Sequence, residues 1–498
     1  MQKKLELREH QVRAIDMLRH SLRKGNKRPV LAAPCSFGKT VVAVHILSEA
    51  AKKGNKSIFI CDRIKLVQQA IEAFHANGIE VGVMQGDHRL TNPDAMIQIA
   101  SIQTLIRRRQ KPLFRLAIVD ECHVHYAGLT KLMAEYNAVP FIGLSATPYS
   151  KGLGQHYDDL LVPITSEQLL DQGYLSKPRY FGGRATNLKG VKKKYLPTGA
   201  RDYDPSSLAE RIEKDEKLVG DIIENWKKYA DGRQTIAFSP SIKHSMALVD
   251  MFRAHGIPAE HIDGYMDDEE RQWIYEAHDN GEFKILSCSR LLNTGYDAPA
   301  VSCMIDAFPT SSLITWVQRV GRVMRTAPGK EDAIILDHAG NTRRHGFAEL
   351  AVPDALDDCK EKRYSERNQL KEKKEPVVKR CPECWQEFVL PRCQCGYVIK
   401  SKASLDSDDQ ILVEMKRQNK IVTKERKSEV LGQLQFYART RGFKPGWASH
   451  AYKAKFGVWP NKITPTRATH VDEDVNRYIK YLRIKGIKNV RPALRQAS

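Results

Sequence analysis

Leu116-Ala117-Ile118-Val119 runs without a polar break into Asp120-Glu121-Cys122-His123. Four consecutive apolar residues suit a strand covered on both faces of a parallel sheet. The acids then fall at the strand's carboxyl end, where open α/β sheets place their ligands. Adjacent carboxylates there can share the work of phosphoanhydride hydrolysis: Asp120 holds Mg²⁺ and Glu121 polarises the attacking water. The pair gains meaning from Ala33-Pro34-Cys35-Ser36-Phe37-Gly38-Lys39-Thr40 upstream, between the short strand Pro29 to Ala32 and a helix from Val41 to Ala50. Strand, loop and helix form the context of a phosphate-binding loop, in which backbone N–H groups and the helix N-terminus face the anion. Lys39 reaches the outer phosphates, Thr40 ligates Mg²⁺, and Ser36 and Gly38 belong to the cradle. The loop has its own departures: Ala33 replaces the first glycine, and Cys35-Ser36 and Phe37 stand where small residues are usual.

The elements that must position these residues alternate in type. A helical segment opens at Leu7-Arg8-Glu9-His10-Gln11 and runs to about Leu22. Gln11 is either a surface glutamine or an amide able to read an adenine edge. Ser57 to Cys61, Ile97 to Ala100 and Phe141 to Leu144 read as further strands, the last of them closing this half. They end in Asp62-Arg63, Ser101-Ile102-Gln103-Thr104 and Ser145-Ala146-Thr147. Polar residues at strand ends can touch a nucleic-acid backbone, and Ser145 and Thr147 can hydrogen-bond Asp120 or His123. Arg107-Arg108-Arg109 reads as a solvated charge run. A second alternating series follows a crossover over Pro163 to Pro178, a polar insertion over about 185–205 and a charged helix from about Ser206 to Tyr229. Its strands are Thr235 to Ser239, Ala259 to Ile262, Phe283 to Ser287, Ser302 to Ala307 and Ala333 to Leu336. It predicts a second parallel sheet without a phosphate loop. Within it, Gln318, Arg322 and Arg325 are spaced i, i+4, i+7, so on a helix they share a face. Two guanidiniums there can stabilise charge on a transferred phosphoryl group.

The Gly-Lys-Thr loop, Asp120 to His123 and Ser145 to Thr147, in that order, resemble superfamily 2 helicases and translocases. The more specific resemblance is to RadD-like helicases. It rests on Leu7 to Gln11, Asp120 to His123, Thr294 to Pro299, Gln318 to Arg325, Ile335 to Asn341 and the cysteines from Cys381 to Cys395. It implies two RecA-like lobes sharing one ATP and DNA-directed work in repair, recombination or replication. Arg8 and Gln11 would contact the nucleotide. Gly295 and Asp297 would lie near ATP, and His123, Ser145 and Thr147 would couple the γ-phosphate to movement. Arg63, Thr104, Ser239 and Thr294 would face nucleic acid.

Composition bounds the partners. The chain has 498 residues, 42% hydrophobic and 28% charged, and its 80 Lys+Arg against 59 Asp+Glu give a formal charge of +21. That excess suggests a polyanion. The N-terminus lacks the apolar core of a signal peptide, and no run approaches the roughly 18 apolar residues of a membrane helix. The expected setting is the reducing cytoplasm of a bacterial or phage-infected cell, with no membrane partner.

Beyond Arg343 the chain becomes densely charged. Cys381-Pro382-Glu383-Cys384 and Cys393-Gln394-Cys395-Gly396, eight residues apart, can give four thiolates to one structural Zn²⁺, with an iron site as the alternative. Helices are expected around 409–418 and 427–440. The mixed lysines and aromatics of Trp447 to Trp459 suit either base stacking or a small helical core. The fold class is therefore α/β: two tandem RecA-like domains (1–165 and 166–355), a charged linker with zinc knuckles (356–400) and a basic, mainly helical segment (401–498). Single-stranded, forked or branched DNA is favoured over RNA, with replication or repair proteins as partners. The competing readings are an RNA helicase, a restriction motor, or a zinc-bearing nucleic-acid clamp that binds ATP without turnover.

Overall fold

The computed structural model describes residues 6–183, then 188–208 and 220–359 with short interruptions. It also describes the pieces 379–380, 387–388 and 412–415, and 424–482 with interruptions. The first lobe is a seven-stranded sheet in the order β3-β4-β2-β5-β6-β1-β7, every neighbouring pair parallel. Its strands are β1 (Pro29–Ala32), β2 (Ser57–Cys61), β3 (Gly82–Met84), β4 (Ile97–Ser101), β5 (Leu116–Val119), β6 (Phe141–Ser145) and β7 (Asp159–Leu161). Helices α1 (Glu9–Arg23), α2 (Lys39–Lys52) and α3 (Ile64–His75) cover one face. Helices α4 (Ile102–Arg107) and α5 (Ala127–Glu135) cover the other, and α6 (Ser166–Asp171) leads out. Strand β2 shows why apolar runs form here. Phe59 and Cys61 join the core under α1 to α3, whereas Ile58 and Ile60 join the one under α4 and α5. A strand covered on both faces takes apolar side chains at nearly every position.

The second lobe contains β8 (Lys177–Gly182), β9 (Lys193–Tyr195), β10 (Arg201–Tyr203), α7 (Gly220–Ala230), β11 (Thr235–Phe238), α8 (Ile242–Ala254) and β12 (Ala259–Ile262). It continues with α9 (Asp268–Asp279), β13 (Ile285–Cys288), β14 (Cys303–Asp306), α10 (Leu313–Val323), β15 (Asp332–Asp337) and α11 (Asn341–His345). Its sheet runs β12-β13-β11-β14-β15-β8 in parallel and closes on an antiparallel edge strand, β18 (Val413–Met415). A separate two-residue pair, β16 (Lys379–Arg380) and β17 (Glu387–Phe388), precedes it in sequence.

Three expectations change. Within the span read as a helix over 409–418, the described residues 412–415 form strand β18 and its lead-in: Leu412 is fully buried, its N–H donates to Asn225 Oδ1 at 3.0 Å, and its carbonyl accepts from Tyr229 Oη at 2.7 Å. The lobe's last strand thus returns from beyond the cysteine segment. The insertion over 185–205 contains an antiparallel hairpin, β9–β10. Phe141–Ser145 is not the last strand of the first lobe, because β7 pairs with β1 beyond it. In the C-terminal part, α12 (Lys424–Thr440) and α13 (Trp447–Phe456) pack with Val475, Ile479 and Leu482 around buried Trp447 and Tyr452. Those two aromatics are core. Trp459 stays partly exposed, with Lys453 Nζ 4.5 Å from its ring centroid. Among the described residues no helix is long and apolar enough to cross a membrane.

The core of the second lobe holds an ion pair. Arg319, 1% exposed, donates from Nη1 to Asp306 Oδ1 at 2.9 Å and to the Phe308 carbonyl at 2.8 Å. Its guanidinium lies 4.9 and 4.6 Å from the Phe238 and Phe308 rings. Asn341 Nδ2 donates to the other Asp306 oxygen at 2.7 Å. Burial raises the Asp306 carboxyl to about 6 against the opposing pull of Arg319. Removing one member of such a pair strands its partner. Arg319→Met should therefore destabilise the second lobe by about 3–5 kcal/mol, seen as a lower urea midpoint. Adding Asp306→Leu should recover part of that loss, and a single variant as stable as the parent would contradict the assignment.

Candidate active site in the cleft between the lobes

The phosphate loop leaves β1 with the Ala33 N–H donating to the Ser145 carbonyl at 2.8 Å, so its first residue is fixed to β6. Two residues then take left-handed backbone, Ser36 (φ 62°) and Gly38 (φ 84°). Gly38 has no room for a side chain: a Cβ there would sit 2.4 Å from Gln11 Nε2. That amide donates to the Phe37 carbonyl at 2.9 Å, and Gln11 Oε1 accepts from the Arg8 N–H at 2.9 Å. Gln11 is thus buried against the loop rather than a free surface glutamine, and it lines the cleft. Arg8 lies over the Tyr174 ring at 4.3 Å, and both residues line the same cleft.

The acids stand opposite. Lys39 Nζ donates to Glu121 Oε1 at 2.5 Å. Glu121 takes a positive φ of 46°, and its N–H donates to Asp120 Oδ1 at 3.0 Å. Burial works against the Glu121 charge, but Lys39 and His123 outweigh it and hold the carboxyl far below its usual range. Burial also works against the Lys39 ammonium, which Glu121 and Asp120 hold above its usual range. Asp120 shifts the other way: burial raises it to about 6, with Lys39 opposing. His123 Nδ1 is 2.9 Å from Ser145 Oγ and 3.1 Å from Glu121 Oε2. Its Nε2 faces Gln318 Nε2 at 3.4 Å. An amide nitrogen can only donate, so with this amide orientation Nε2 accepts and the ring proton sits on Nδ1. Ser145 Oγ also accepts from the Thr147 N–H at 3.0 Å.

The second lobe reaches this cleft through α10. One side of the helix buries Trp316, Arg319, Val320 and Val323, and the other presents Gln318, Gly321 and Arg322. Arg322 donates from Nη1 to the Tyr296 carbonyl, while its buried Nε has no hydrogen-bond partner. Arg325 is not on the helix. The last helical residue is Val323, and residue 325 bridges to Leu175 instead, though it still lines the cleft. The lobes meet at Gly321, where an added Cβ would lie 2.2 Å from Cys35 Sγ. The open cleft has a volume of about 670 Å³ and is lined by Arg8, Ser36, Lys39, Thr40, Asp120, Glu121, Arg322 and Arg325, among others. That is enough for a nucleoside triphosphate.

Family comparisons agree with this geometry. Residues 4–150 match the model "Type III restriction enzyme, res subunit", and residues 214–327 match "Helicase conserved C-terminal domain", together just over half of the chain. The chain belongs to the superfamily 2 helicases. A 51.5 kDa protein of a Lactococcus phage is 27% identical over 373 residues, 74% of this chain and 76% of the phage protein. A putative mitochondrial ATP-dependent helicase of Schizosaccharomyces pombe, irc3, is 26% identical over 68% of this chain and 58% of its own length. Its Saccharomyces cerevisiae namesake is 25% identical over 67% and 51%. The chain therefore spans only about half of the fungal relatives. Among solved structures, the DNA-bound Type ISP restriction-modification enzyme LlaBIII superposes with a TM-score of 0.51 at 17% identity. It covers 66% of this chain and 27% of that one, a likeness of fold.

Other superfamily positions read from the sequence are distributed as follows. Arg63 lines the cleft, its Nε 3.5 Å from Asp62 Oδ2. Thr104 lies on α4, its Oγ1 accepting from the Gly86 N–H at 3.4 Å. Ser239 is buried just past β11, its N–H donating to the Cys288 carbonyl at 2.9 Å. Thr294, Gly295 and Asp297, and the ligands Cys381, Cys384, Cys393 and Cys395, lie outside the described residues. Among the described residues no cluster of three or more His, Cys, Asp or Glu could hold a metal by itself. Asp120 beside Thr40 instead suits Mg²⁺, which takes few protein ligands and fills its octahedron with phosphates and water. Sequence reasoning missed Tyr174, and it missed a contact between the lobes. Lys65 Nζ stands 4.4 Å from the Tyr275 ring centroid, and Tyr275 stacks at 4.6 Å on Tyr296, whose carbonyl holds Arg322. An isolated tyrosine in a connecting segment carries no local signal of such a partner.

Two expected outcomes follow from the contacts. Gly321→Ala should lower ATP turnover at least about tenfold by pushing the lobes apart, and Cys35→Ala in the same chain should restore most of it. An equal loss in the double variant would show that the steric pair is not the cause. On the assignment of Mg²⁺ to Asp120, binding takes the carboxylate, while burial favours the acid below about pH 6. The Mg²⁺ concentration for half-maximal turnover should climb as pH falls through about 6 and level off above about 7. A flat requirement across that range would contradict it.

Proposed function

We propose that the chain is a nucleic-acid-stimulated ATPase that moves along or remodels DNA. The observation that carries this reading is the buried, unpartnered Arg322 Nε from the second lobe, facing the same cleft as Lys39 of the first. A triphosphate taken into the cleft competes with Glu121 for the Lys39 ammonium. Glu121, released, is free to orient and polarise water. Arg322 supplies positive charge where negative charge builds on the transferred group. Thr40 and Asp120 would hold Mg²⁺, which neutralises charge between the outer phosphates. The His123–Gln318 contact spans the lobes, so a change at Glu121 reaches α10. Alternate closing and opening then turns hydrolysis into movement.

DNA is favoured because the first lobe matches a restriction-enzyme family and the chain shares its fold with a restriction enzyme bound to DNA. The chain's charge of +21 suits either nucleic acid. We assign Zn²⁺ a structural role at Cys381, Cys384, Cys393 and Cys395. The antiparallel pairing of Arg380 with Glu387 beside the first cysteine pair supports that reading. Repair, recombination or replication is the process this chemistry would serve.

Steady-state hydrolysis tests the reading. Single- and double-stranded DNA, a fork and RNA are compared at equal phosphate concentration, and stimulation should be greatest with a DNA. Lys39→Ala and Glu121→Gln should each lower turnover at least about a hundredfold, and Arg322→Ala about a thousandfold. Glu121→Gln should still bind ATP. Turnover that no nucleic acid raises, or that survives Lys39→Ala, would overturn the proposal.

A further inference from the structure

The hairpin β9–β10 is left unused by the cleft chemistry. It follows β8, whose last residue Gly182 pairs with Asp337 at the carboxyl end of β15, and Arg343 Nε donates to the Gly183 carbonyl at 3.0 Å. Its contacts with Thr310, Ser311 and Arg344 place it past the carboxyl ends of β14 and β15, where the chain leads into α10. Lys192, Lys193 and Lys194 are all exposed on it. Lys193 Nζ is 4.8 Å from the ring centroid of buried Tyr203, and the Arg344 guanidinium is 5.9 Å from the same centroid. Two cations share one aromatic ring, with exposed Arg343 beside them. The nearby acids cancel this charge only in part. Asp204 takes Lys194 at 2.9 Å, and Lys192, Lys193 and Arg343 stay exposed. Asp202 turns inward, accepting from Thr310 Oγ1 at 2.5 Å and from the Ser311 N–H at 2.6 Å. The next residue, Ser312, caps α10 through the Thr315 N–H at 3.3 Å.

We propose that Lys192, Lys193, Lys194, Arg343 and Arg344 form a binding surface for the phosphodiester backbone of a nucleic acid. Asp202 fastens that surface to the start of the helix whose far end carries Arg322. Like charges gathered around one ring repel one another unless a polyanion lies across them, and phosphate contacts position a strand without reading its sequence. A strand drawn onto the hairpin pulls on the Thr310–Ser312 turn, so the surface acts on α10 through Asp202 as a positioning residue. The inference rests on the nucleic-acid-stimulated ATPase reading and names a second contact for it.

The test uses the full chain and fluorescence anisotropy with labelled single-stranded DNA, duplex DNA and RNA over a salt series. The triple variant Lys192→Ala/Lys193→Ala/Lys194→Ala should weaken binding at least about tenfold and flatten the log–log salt slope by about 2. The three probes show which phosphodiester strand the surface prefers. Asp202→Asn, with Ser311→Ala as the milder companion, should leave the dissociation constant within about twofold while lowering maximal stimulated turnover about fivefold or more. The surface is refuted if the triple variant binds like the parent with the same slope, or if polyglutamate of equal charge competes as well as DNA. The fastening is refuted if both Asp202→Asn and Ser311→Ala keep full stimulation, or if affinity falls in step with it. A parent chain that binds no nucleic acid removes the underlying function as well, and binding without stimulated turnover refutes the stimulation alone, so the failures are distinguishable.

Discussion

The cleft is organised by one contact, the 2.5 Å pair between Lys39 and Glu121. Both side chains are about four-fifths buried, so neither charge is well hydrated, and each depends on the other. One lysine also serves two carboxylates. It sits on Glu121 and only moderates Asp120, which is why two adjacent acids on one strand end shift in opposite directions. A ligand that draws Lys39 away must return equivalent charge to it. On the proposed reading a phosphate chain would do so and the exchange would release Glu121 for water, making binding and activation one substitution of one anion for another.

The second lobe meets that exchange through a helix with two distinct sides. Arg319 and Arg322 are three residues apart and do opposite work. Arg319 turns into the lobe, where Asp306, the Phe308 carbonyl and two phenyl rings satisfy it. Arg322 turns into the cleft with one backbone carbonyl for company. The inward pair fixes the helix's rotation, because turning α10 enough to withdraw Arg322 would expose a buried ion pair to an apolar core. Gly321 lies between them and sets the approach distance, since the loop's Cys35 occupies the space that a side chain would fill.

The central strands and the strand–loop–helix around Gly38-Lys39-Thr40 were legible in the sequence. Strands covered on both faces leave unbroken apolar runs, and a phosphate loop ties its residues to a local spacing. What escaped was set by tertiary partners. Strand β18 is three residues long, lies in a charged stretch and is held by tertiary partners, the edge of β8 and the contacts of Leu412 with Asn225 and Tyr229. Tyr174, Lys65 and Asp202 gain meaning from residues far away in the chain. Arg325 shows the limit of spacing arguments: its interval from Arg322 is helical, but the helix ends at Val323 and the backbone turns to pair with Leu175. Gln11 shows the complementary limit, because its amide serves the loop's backbone directly.

The unusual phosphate loop is explained by the same division between local and distant constraints. What cradles a phosphate is a set of backbone N–H groups, whose directions depend on dihedral angles rather than on side chains. Ser36 adopts the left-handed φ that glycine takes freely, at a cost on the order of 1 kcal/mol. Phe37 offsets that cost. Its ring is fully buried, 5.1 Å from His10, and its carbonyl accepts from Gln11, so the middle of the loop is anchored to α1 instead of being left to flex. Glycine is retained at 38, where the Gln11 amide leaves no space for a Cβ. The loop has exchanged intrinsic flexibility for packing and kept the backbone path that binding requires.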